Sequence, residues 1–418
     1  MKIAVVGSGV SGLVCAHYLS QRHDVRVFEA GDHVGGHTNT IALHRASGDH
    51  RVDTGFIVFN DWTYPHFIRL INELGVESQP SSMSFSVHVE SSGLEYNGTD
   101  LNRLFIQRRN FFRPSFYRMI RDILRFNREA PALLDRPGDE IPLGKFLSQG
   151  GYAPEFVNHY IVPMGAAVWS SSVEKMRSFP ARCFVQFFKN HGMLSVNNRP
   201  QWRVIRGGSR TYVEAITARL KNPVELNTPV TAVRRTPRGV IVTTGGPGGE
   251  RSEEFDHVIL ASHSDQSLKV LVDPTPREKE ILPHFGYQEN RTTLHTDTSV
   301  LPDRRAAWAS WNYRVPARAQ GRVAVTYDMN ILQSLHSPET FCVSLNMDDR
   351  LAPTAVIKKI LYHHPVFTTG AVAAQKRWAE ISGPDLRTHY AGAYWGYGFH
   401  EDGVKSGLRV CESLGVVP

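Results

Sequence analysis

The chain has 418 residues, a net charge of +7 and 41% hydrophobic residues, with ordinary glycine and proline counts. This composition excludes a collagen-like or low-complexity chain and predicts a globular protein of about two domains. No apolar run approaches the length of a membrane span, so no transmembrane helix is expected. Cys15, Cys183, Cys342 and Cys411 are scattered, which favours a reducing cytoplasm and argues against a disulfide framework or a metal site.

The first thirty residues carry a dinucleotide-binding pattern. An apolar run, Lys2–Val6, predicts a buried strand, residues 13–21 predict a helix, and residues 25–28 predict a second strand. Between the first strand and the helix stands G-x-G-x-x-G, with Gly7, Gly9 and Gly12. These glycines permit a tight turn, a close pyrophosphate and close helix–strand packing, respectively, and the helix N-terminus offers N–H groups to phosphates.

An acidic residue, Glu29, ends the second strand, where a carboxylate can accept hydrogen bonds from ribose hydroxyls and repels the 2′-phosphate of NADP. NAD and FAD stay open on this evidence. Gly35-Gly36-His37-Thr38 and then Asp53-Thr54-Gly55 follow. The spacing E-x5-G-G-[R/H]-x-x-T followed by D-x-G resembles the flavin-containing amine oxidase superfamily, which also holds protoporphyrinogen oxidases and carotenoid desaturases.

The resemblance implies an FAD cofactor, held non-covalently because residues 390–403 contain no cysteine. It also implies that Val230 holds the adenine through its backbone. The superfamily ends on an [ED]-G-x-x-S-G helix, here from Asp402 and Gly403, whose N-terminus faces the flavin. The residues predicted to bind the cofactor are Gly7, Gly9, Val10, Ser11, Gly12, Glu29, Ala30, Gly35, Gly36, His37, Thr38, Gly55, Val230, Asp402 and Gly403.

The predicted fold class is α/β: a Rossmann-like FAD-binding domain of the amine oxidase type, interleaved with an α+β substrate domain. We expect the chain to enter the FAD-binding domain three times, because strand and turn patterns typical of it recur in the middle and at the end. The predicted ranges are 1–80, 200–264 and 385–418 for the FAD-binding domain, and 81–199 and 265–384 for the substrate domain.

An arginine-rich segment lies within the predicted substrate domain. Residues 101–130 contain eight arginines and two acids, a local charge of +6. Pro114 begins a predicted amphipathic helix near 114–130, with one face formed by Phe116, Ile120, Ile123, Leu124 and Asn127 and another by Arg118, Arg121, Arg125 and Arg128. The helix is either a solvated basic face over an apolar stripe or an interfacial helix on anionic lipid. Nucleic acid is not expected, because no binding module is recognisable.

A narrower resemblance rests on stretches outside the superfamily motifs: GHT at 36–38, GFIVFN at 55–60, MSFSV at 83–87, VWS at 168–170, RPQW at 199–202, AWASWNY at 307–313 and YGFHEDG at 397–403. Together they resemble the N-terminal flavin domain of plant cyclopropane fatty acid synthases and bacterial methyl-branched fatty acid desaturases. This resemblance implies a fatty acyl or phospholipid substrate, a route such as furan fatty acid formation and a cyclopropane-synthase-like methyltransferase as a partner. It also implies a cytoplasmic protein at the inner face of the membrane.

Removing hydrogen from an acyl chain needs a hydride acceptor and a base. His400, before the flavin-facing helix, is the candidate base, and Glu401 is the second choice. Two other functions stay open. One is an FAD-dependent amine or protoporphyrinogen oxidase on the same fold, and the other is a non-catalytic flavin scaffold that docks a methyltransferase to the membrane.

Overall fold

The computed structural model describes residues 1–135, 138, 140–246, 248–317 and 321–417. Small parts of the predicted domain ranges, at 136, 137, 139, 247, 318–320 and 418, therefore lie outside the described residues. The strands are β1 (Lys2–Val6), β2 (Asp24–Phe28), β3 (Thr40–Arg45), β4 (Gly48–Asp53), β5 (Val58–Asn60), β6 (Ser78–Pro80), β7 (Phe85–Val89), β8 (Leu94–Asn97), β9 (Trp202–Ile205), β10 (Val230–Arg235), β11 (Val240–Thr244), β12 (Arg251–Phe255), β13 (His257–Leu260), β14 (Gly286–His295), β15 (Trp311–Val315), β16 (Val325–Asp328), β17 (Cys342–Leu345), β18 (Val356–Val366) and β19 (Thr388–Tyr390).

The helices follow the same chain order. They are α1 (Val10–Leu19), α2 (Pro65–Leu74), α3 (Leu101–Leu104), α4 (Pro114–Glu129), α5 (Ala132–Asp135), α6 (Leu143–Gln149), α7 (Pro154–Phe156), α8 (Val162–Val168), α9 (Val173–Ser178), α10 (Ala181–Asn190), α11 (Arg210–Thr217), α12 (Ser264–Val270), α13 (Pro276–Ile281), α14 (Met329–Leu332), α15 (Thr369–Gln375) and α16 (His400–Ser413). In the part of the chain that the structure describes, no helix is both long and apolar enough to cross a bilayer.

A parallel sheet of four strands forms the first layer, in the order β19, β13, β1, β2. Its central strands are apolar on both faces and buried, as parallel strands covered by helices must be. The predicted β1–turn–α1–β2 unit is confirmed, and so is the α/β fold class. All four strands lie in the ranges predicted for the FAD-binding domain, whose boundaries stay a prediction.

A mixed sheet of seven strands forms the second layer, in the order β18, β14, β17, β16, β15, β7, β8. At one edge, β7 and β8 pair antiparallel as a hairpin. Helices α4 and α6 to α10 pack apolar side chains against this sheet in one large core. The strands of this sheet lie in the ranges predicted for the substrate domain.

Two helices from opposite ends of the chain pack together above the parallel sheet. A Cβ atom at Gly403 of α16 would lie 2.5 Å from Val10 Cγ1, and one at Gly407 would lie 2.8 Å from the carbonyl oxygen of Ser11. Contacts at such short distances require glycine, because any larger residue would push the helices apart. The packing places the N-terminus of α16 beside the first turn of α1.

The arginine-rich segment forms α4 as predicted, but its buried face differs from the predicted one. The side chains that α4 buries are Phe116, Met119, Asp122 and Phe126. Leu124, predicted on the apolar face, is 54% exposed. The prediction was wrong because Asp122 turns inward, where its carboxylate accepts a hydrogen bond from the backbone N–H of Ala153 at 2.7 Å. At 3.6 residues per turn, this orientation points Leu124 outward.

Candidate active site

The glycine-rich turn between β1 and α1 has the geometry that a phosphate site needs. Gly7 has φ of +100°, and a Cβ at Gly12 would lie 2.0 Å from the carbonyl oxygen of Gly7. Where a Cβ at Gly9 would point, no atom lies within 4 Å. No side chain caps the N-terminus of α1, where Val10 and Ser11 begin the helix. The turn therefore leaves uncapped N–H groups beside open space, as an anion site requires.

The carboxylate of Glu29 lies directly over this turn. Its Oε2 accepts hydrogen bonds from the backbone N–H of Ser8 at 2.8 Å and from the Ser8 hydroxyl at 2.6 Å. Its Oε1 accepts a hydrogen bond from the backbone N–H of Gly31 at 2.8 Å, and Ala30 lies in the chain between Glu29 and Gly31. The backbone of Glu29 pairs with Glu225 and Thr228, so Val230, the first residue of β10, follows closely at the same end of the sheet.

The second glycine pair packs against the first turn. Gly36 has φ of +58°, and a Cβ there would lie 3.3 Å from Gly9 Cα. The backbone N–H of Gly35 donates to the carbonyl oxygen of Ser8 at 3.1 Å. A Cβ at Gly55 would lie 2.2 Å from the carbonyl oxygen of His37. Three glycine-containing segments that are distant in sequence thus form one cradle, which also includes the buried Thr38.

The start of α16 closes the cradle. Asp402 accepts a hydrogen bond from the backbone N–H of Phe399 at 3.0 Å, so it caps its own helix. Burial raises the pKa of Asp402 to about 6. The sequence predicted Asp402 and Gly403 near the flavin, and the structure places both at this N-terminus, with Asp402 bonded to the chain itself.

The candidate base, His400, is buried at the first position of α16. Its ring stacks on Phe56 at 3.5 Å between centroids, and its Nε2 shares a hydrogen bond of 2.6 Å with the Tyr212 hydroxyl. Tyr212 also bonds the hydroxyl of Thr38 at 2.7 Å. Burial, followed by repulsion from His37, holds the pKa of His400 well below its usual value, so the imidazole is neutral at pH 7.

The second candidate, Glu401, faces a different neighbour. Its carboxylate accepts hydrogen bonds from the backbone N–H groups of His66 at 3.2 Å and Phe67 at 2.9 Å. These are orphan donors at the start of α2, so Glu401 caps that helix. Burial raises its pKa to about 7. The contacts assign Glu401 to holding α2 against α16, and they leave His400 as the stronger candidate base.

Sequence reasoning missed a polar wall that the edge strand β18 and its neighbour β14 bring to the cradle. The ring of Tyr362 stacks on His37 at 4.8 Å, and the ring of His364 meets His37 edge-on at 5.3 Å. Asn290 Nδ2 lies 2.9 Å from His364 Nδ1 and donates to the carbonyl oxygen of Ser170 at 3.0 Å. The sequence shows Tyr362 and His364 two residues apart, on one face of a strand, but it does not show that both contact His37.

A buried carboxylate, Asp53, was part of the D-x-G element but was not predicted as a site residue. It accepts hydrogen bonds from the hydroxyl of Thr40, the backbone and hydroxyl of Ser209, and Gln333 Nε2. Burial raises the pKa of Asp53 to about 6. Asp53 therefore joins the β3–β4 hairpin to the turn before α11, behind the cradle.

Comparison with known proteins decides the family. Residues 10–299 match the family model described as flavin containing amine oxidoreductase. The chain belongs to this family. Its cofactor is accordingly FAD, as the sequence predicted.

Among curated relatives of this flavin-containing amine oxidoreductase is AofH of Mycobacterium tuberculosis, assigned as a flavin-containing monoamine oxidase. The two are 27% identical over 346 residues, 78% of this chain and 70% of the relative. Two solved structures share the fold at 16% identity and a TM-score of 0.70: a CLA-producing fatty acid isomerase from P. acnes, covering 98% of both chains, and cyclohexylamine oxidase from Brevibacterium oxydans, covering 99% of both.

The residues present fit FAD. The uncapped turn at Gly9 suits a pyrophosphate, and Glu29 beside it suits the hydroxyls of an adenosine ribose. In this flavin-containing amine oxidoreductase, the cradle extends from the first turn past Gly36 and Gly55 to the N-terminus of α16. FAD supplies a hydride acceptor when bound. The protein itself must position the C–H bond and take up the proton, for which the hydrogen-bonded chain His400–Tyr212–Thr38 is available.

Proposed function

We propose that the protein desaturates a methyl-branched fatty acyl chain carried by a phospholipid, on a route such as furan fatty acid formation. The observation that carries the proposal is the aromatic surroundings of the N-terminus of α16, where the histidine rings are neutral and the carboxylates are already hydrogen-bonded. The acyl substrate gives up a hydride and a proton from neighbouring carbons, leaving a double bond. His400 accepts the proton in this proposal, and Tyr212 and Thr38 connect it to a hydrogen-bonded chain.

A continuous series of aromatic rings leads from α4 to the start of α16. The ring of Phe126 lies 6.5 Å from that of Phe184, which lies 5.7 Å from Trp169. Trp169 lies 4.7 Å from Phe187, and Phe187 stacks 4.8 Å from Phe399. Long apolar substrates are bound by such aromatic and aliphatic side chains. These rings are buried in one apolar core, and a core of this composition beside the start of α16 supports an apolar substrate.

The titratable groups along this region are neutral or already bonded. Burial lowers the pKa values of His37 and His191 to about 4 and that of His364 to about 3, so these rings carry no charge at pH 7. The carboxylates of Glu401 and Asp402 accept backbone N–H groups. None of these side chains offers a free anion to a cationic amine, and neutral walls suit an acyl chain.

The fold itself is compatible with this substrate class. The fatty acid isomerase from P. acnes superposes over nearly the whole chain with a TM-score of 0.70, so a protein of this architecture acts on a fatty acid. At 16% identity the likeness concerns the fold alone. It supports the proposal by showing that the architecture can hold an acyl chain.

Amine oxidation is the second candidate, because the curated relative at 27% identity is assigned as a monoamine oxidase. The two candidates differ in the charge that the site must accept. A primary amine is cationic at pH 7 and would have to shed its proton before approaching these neutral side chains. An acyl chain carries no charge at the reacting carbons.

Anaerobic reduction of the bound flavin separates the candidates. The FAD-loaded protein is mixed with vesicles of a methyl-branched phospholipid, with vesicles of its straight-chain counterpart, and with primary amines, and the flavin absorbance is followed. We expect bleaching by the branched lipid first and a new double bond in the recovered acyl chain. Bleaching by amines without any response to lipid would refute the proposal and establish the second candidate.

A further inference from the structure

One surface of the protein exposes large apolar side chains that its own fold does not cover. Phe112 is 89% exposed, Leu124 is 54%, Tyr117 is 47% and Phe111 is 45%. Together with Arg121 they line one open groove along the outer side of α4. We call these five residues the Phe112 face. Clustered exposed aromatics of this kind mark interaction sites.

Basic and apolar side chains alternate along the outward stripe of α4. Tyr117, Arg121, Leu124 and Arg128 follow one another at spacings of four, three and four residues, so they lie on one face of the helix. The side chain of Arg121 is 70% exposed and that of Arg128 is 75%. A helix that lies in a membrane interface has this composition, with apolar residues below the headgroups and arginines beside them.

The exposed aromatics are held in place. The ring of Phe111 stacks on the buried Phe105 at 4.3 Å, and the Tyr117 hydroxyl donates to the carbonyl oxygen of Phe111 at 3.1 Å. On the inner side, Asp122 ties α4 to the chain at Ala153. The Phe112 face is therefore preformed, and docking would cost little ordering of the chain.

The arginines of α4 divide into two groups, which the sequence did not distinguish. Arg118 pairs with Glu155 at 2.5 Å. Arg125 is 28% exposed, and its guanidinium covers the ring of Tyr152 at 4.1 Å. These two cations are engaged within the protein. Arg121 and Arg128 also lie beside acids, Asp122 at 3.5 Å and Glu129 at 2.9 Å, but their side chains are the more exposed pair.

We propose that the Phe112 face docks the protein on an anionic lipid bilayer. The argument is charge complementarity: residues 101–130 carry a local charge of +6. Arg121 lines the same groove as Phe111, Phe112 and Tyr117, and the exposed Arg128 follows Leu124 by one turn of α4. Anionic headgroups pair with Arg121 and Arg128 while Phe112 and Leu124 enter the boundary with the acyl chains. Vesicle binding can be measured without turnover, so a test of docking does not depend on which reaction the protein catalyses.

Vesicle co-sedimentation of the FAD-loaded full chain tests the proposal. The vesicles contain phosphatidylcholine alone or phosphatidylcholine with phosphatidylglycerol, at low and at high salt. We expect binding only to the anionic vesicles, weakened by salt. The double variant Arg121→Gln/Arg128→Gln should lose about 25-fold in binding, since each basic residue contributes about fivefold. The double variant Phe112→Ser/Leu124→Ser should lose about tenfold or more.

Matched variants elsewhere separate this face from general charge or hydrophobicity. Arg22→Gln/Arg277→Gln removes two exposed arginines, and Val196→Ser/Val272→Ser removes two exposed apolar side chains. Both should bind like the wild type. Equal losses in these controls would overturn the proposal, as would wild-type binding by either variant of the Phe112 face.

A polarity-sensitive dye reports insertion directly. It is attached to Phe112→Cys, with Val196→Cys as the control position. We expect a blue shift on anionic vesicles at position 112 and none at 196. Vesicle binding without a shift at position 112 would also overturn the proposal, because it would place another surface against the lipid. None of these readouts depends on which substrate reduces the flavin.

Discussion

Two alanine substitutions in the first turn should separate folding from FAD binding. Gly12→Ala should lower the stability of the protein, and Gly9→Ala should weaken FAD binding at nearly unchanged stability. A Cβ at Gly12 would lie 2.0 Å from the carbonyl oxygen of Gly7, whereas carbon and oxygen normally approach to about 3.3 Å. Gly12→Ala therefore forces β1 and α1 apart by more than an ångström. We expect it to lower the free energy of unfolding by about 3 kcal/mol or more.

At Gly9 the same methyl group meets no atom of the protein. The backbone has φ of −65°, which alanine adopts freely, and no atom lies within 4 Å of the added Cβ. Gly9→Ala should therefore leave the stability of the apoprotein within about 1 kcal/mol of the wild type. It should nevertheless weaken FAD binding at least about 100-fold, because the methyl group would fill the open space that suits the pyrophosphate and keep a phosphate away from the uncapped N–H groups.

Urea unfolding of the apoproteins and FAD titration followed by flavin fluorescence measure the two quantities separately. The pair serves as its own control, since both variants add one methyl group within four residues. If Gly9→Ala bound FAD as tightly as the wild type, the open space at Gly9 would not be the phosphate site. If Gly12→Ala were as stable as the wild type, the close packing of α1 on β1 would not matter.

Three further predictions concern buried polar groups. Burial lowers the pKa of His191 to about 4. Between pH 6.5 and 4 the unfolded chain therefore binds a proton that the folded protein does not, and the free energy of unfolding falls as the pH falls. His191→Gln should make this dependence on pH shallower by about 1.4 kcal/mol per pH unit in this window. Asp53→Asn should cost at least about 2 kcal/mol in urea unfolding, because an amide nitrogen would face the donors of Thr40 and Ser209; an unchanged midpoint would contradict this role. His400→Ala should retain FAD but reduce the rate of flavin reduction by about 10²- to 10⁴-fold, with a smaller loss in Tyr212→Phe; full activity in His400→Ala would remove it as the base.

The first unit of the fold was predictable because its signals are local. The turn at Gly7, the packing at Gly12 and the acid at Glu29 stand within thirty residues, and each has one physical reason to be there. The ends of α2 carry local signals of the same kind, with Pro65 at its first position and Gly75 directly after its last. Patterns of this kind need no knowledge of what lies across the molecule.

The roles of several site residues depend on partners far along the chain, which sequence spacing does not reveal. Glu401 caps α2, more than 330 positions earlier, and no local pattern distinguishes that role from catalysis. His37 meets Tyr362 and His364 only because β18 pairs in one register with β14. Leu124 was placed on the wrong face because Asp122, a charged residue, turns inward to a specific backbone donor.

The strand order of the parallel sheet also affects how the chain is made. β1 ends at residue 6, but its neighbour β13 begins at residue 257 and β19 at residue 388. At synthesis rates of 5–20 residues per second, the ribosome releases β1 roughly 10–50 s before β13 can cover its open edge. During that interval the open edge of β1 is a template for pairing with other nascent chains. Because α16 begins at residue 400, the cradle gains its last wall only after the preceding 399 residues have been made.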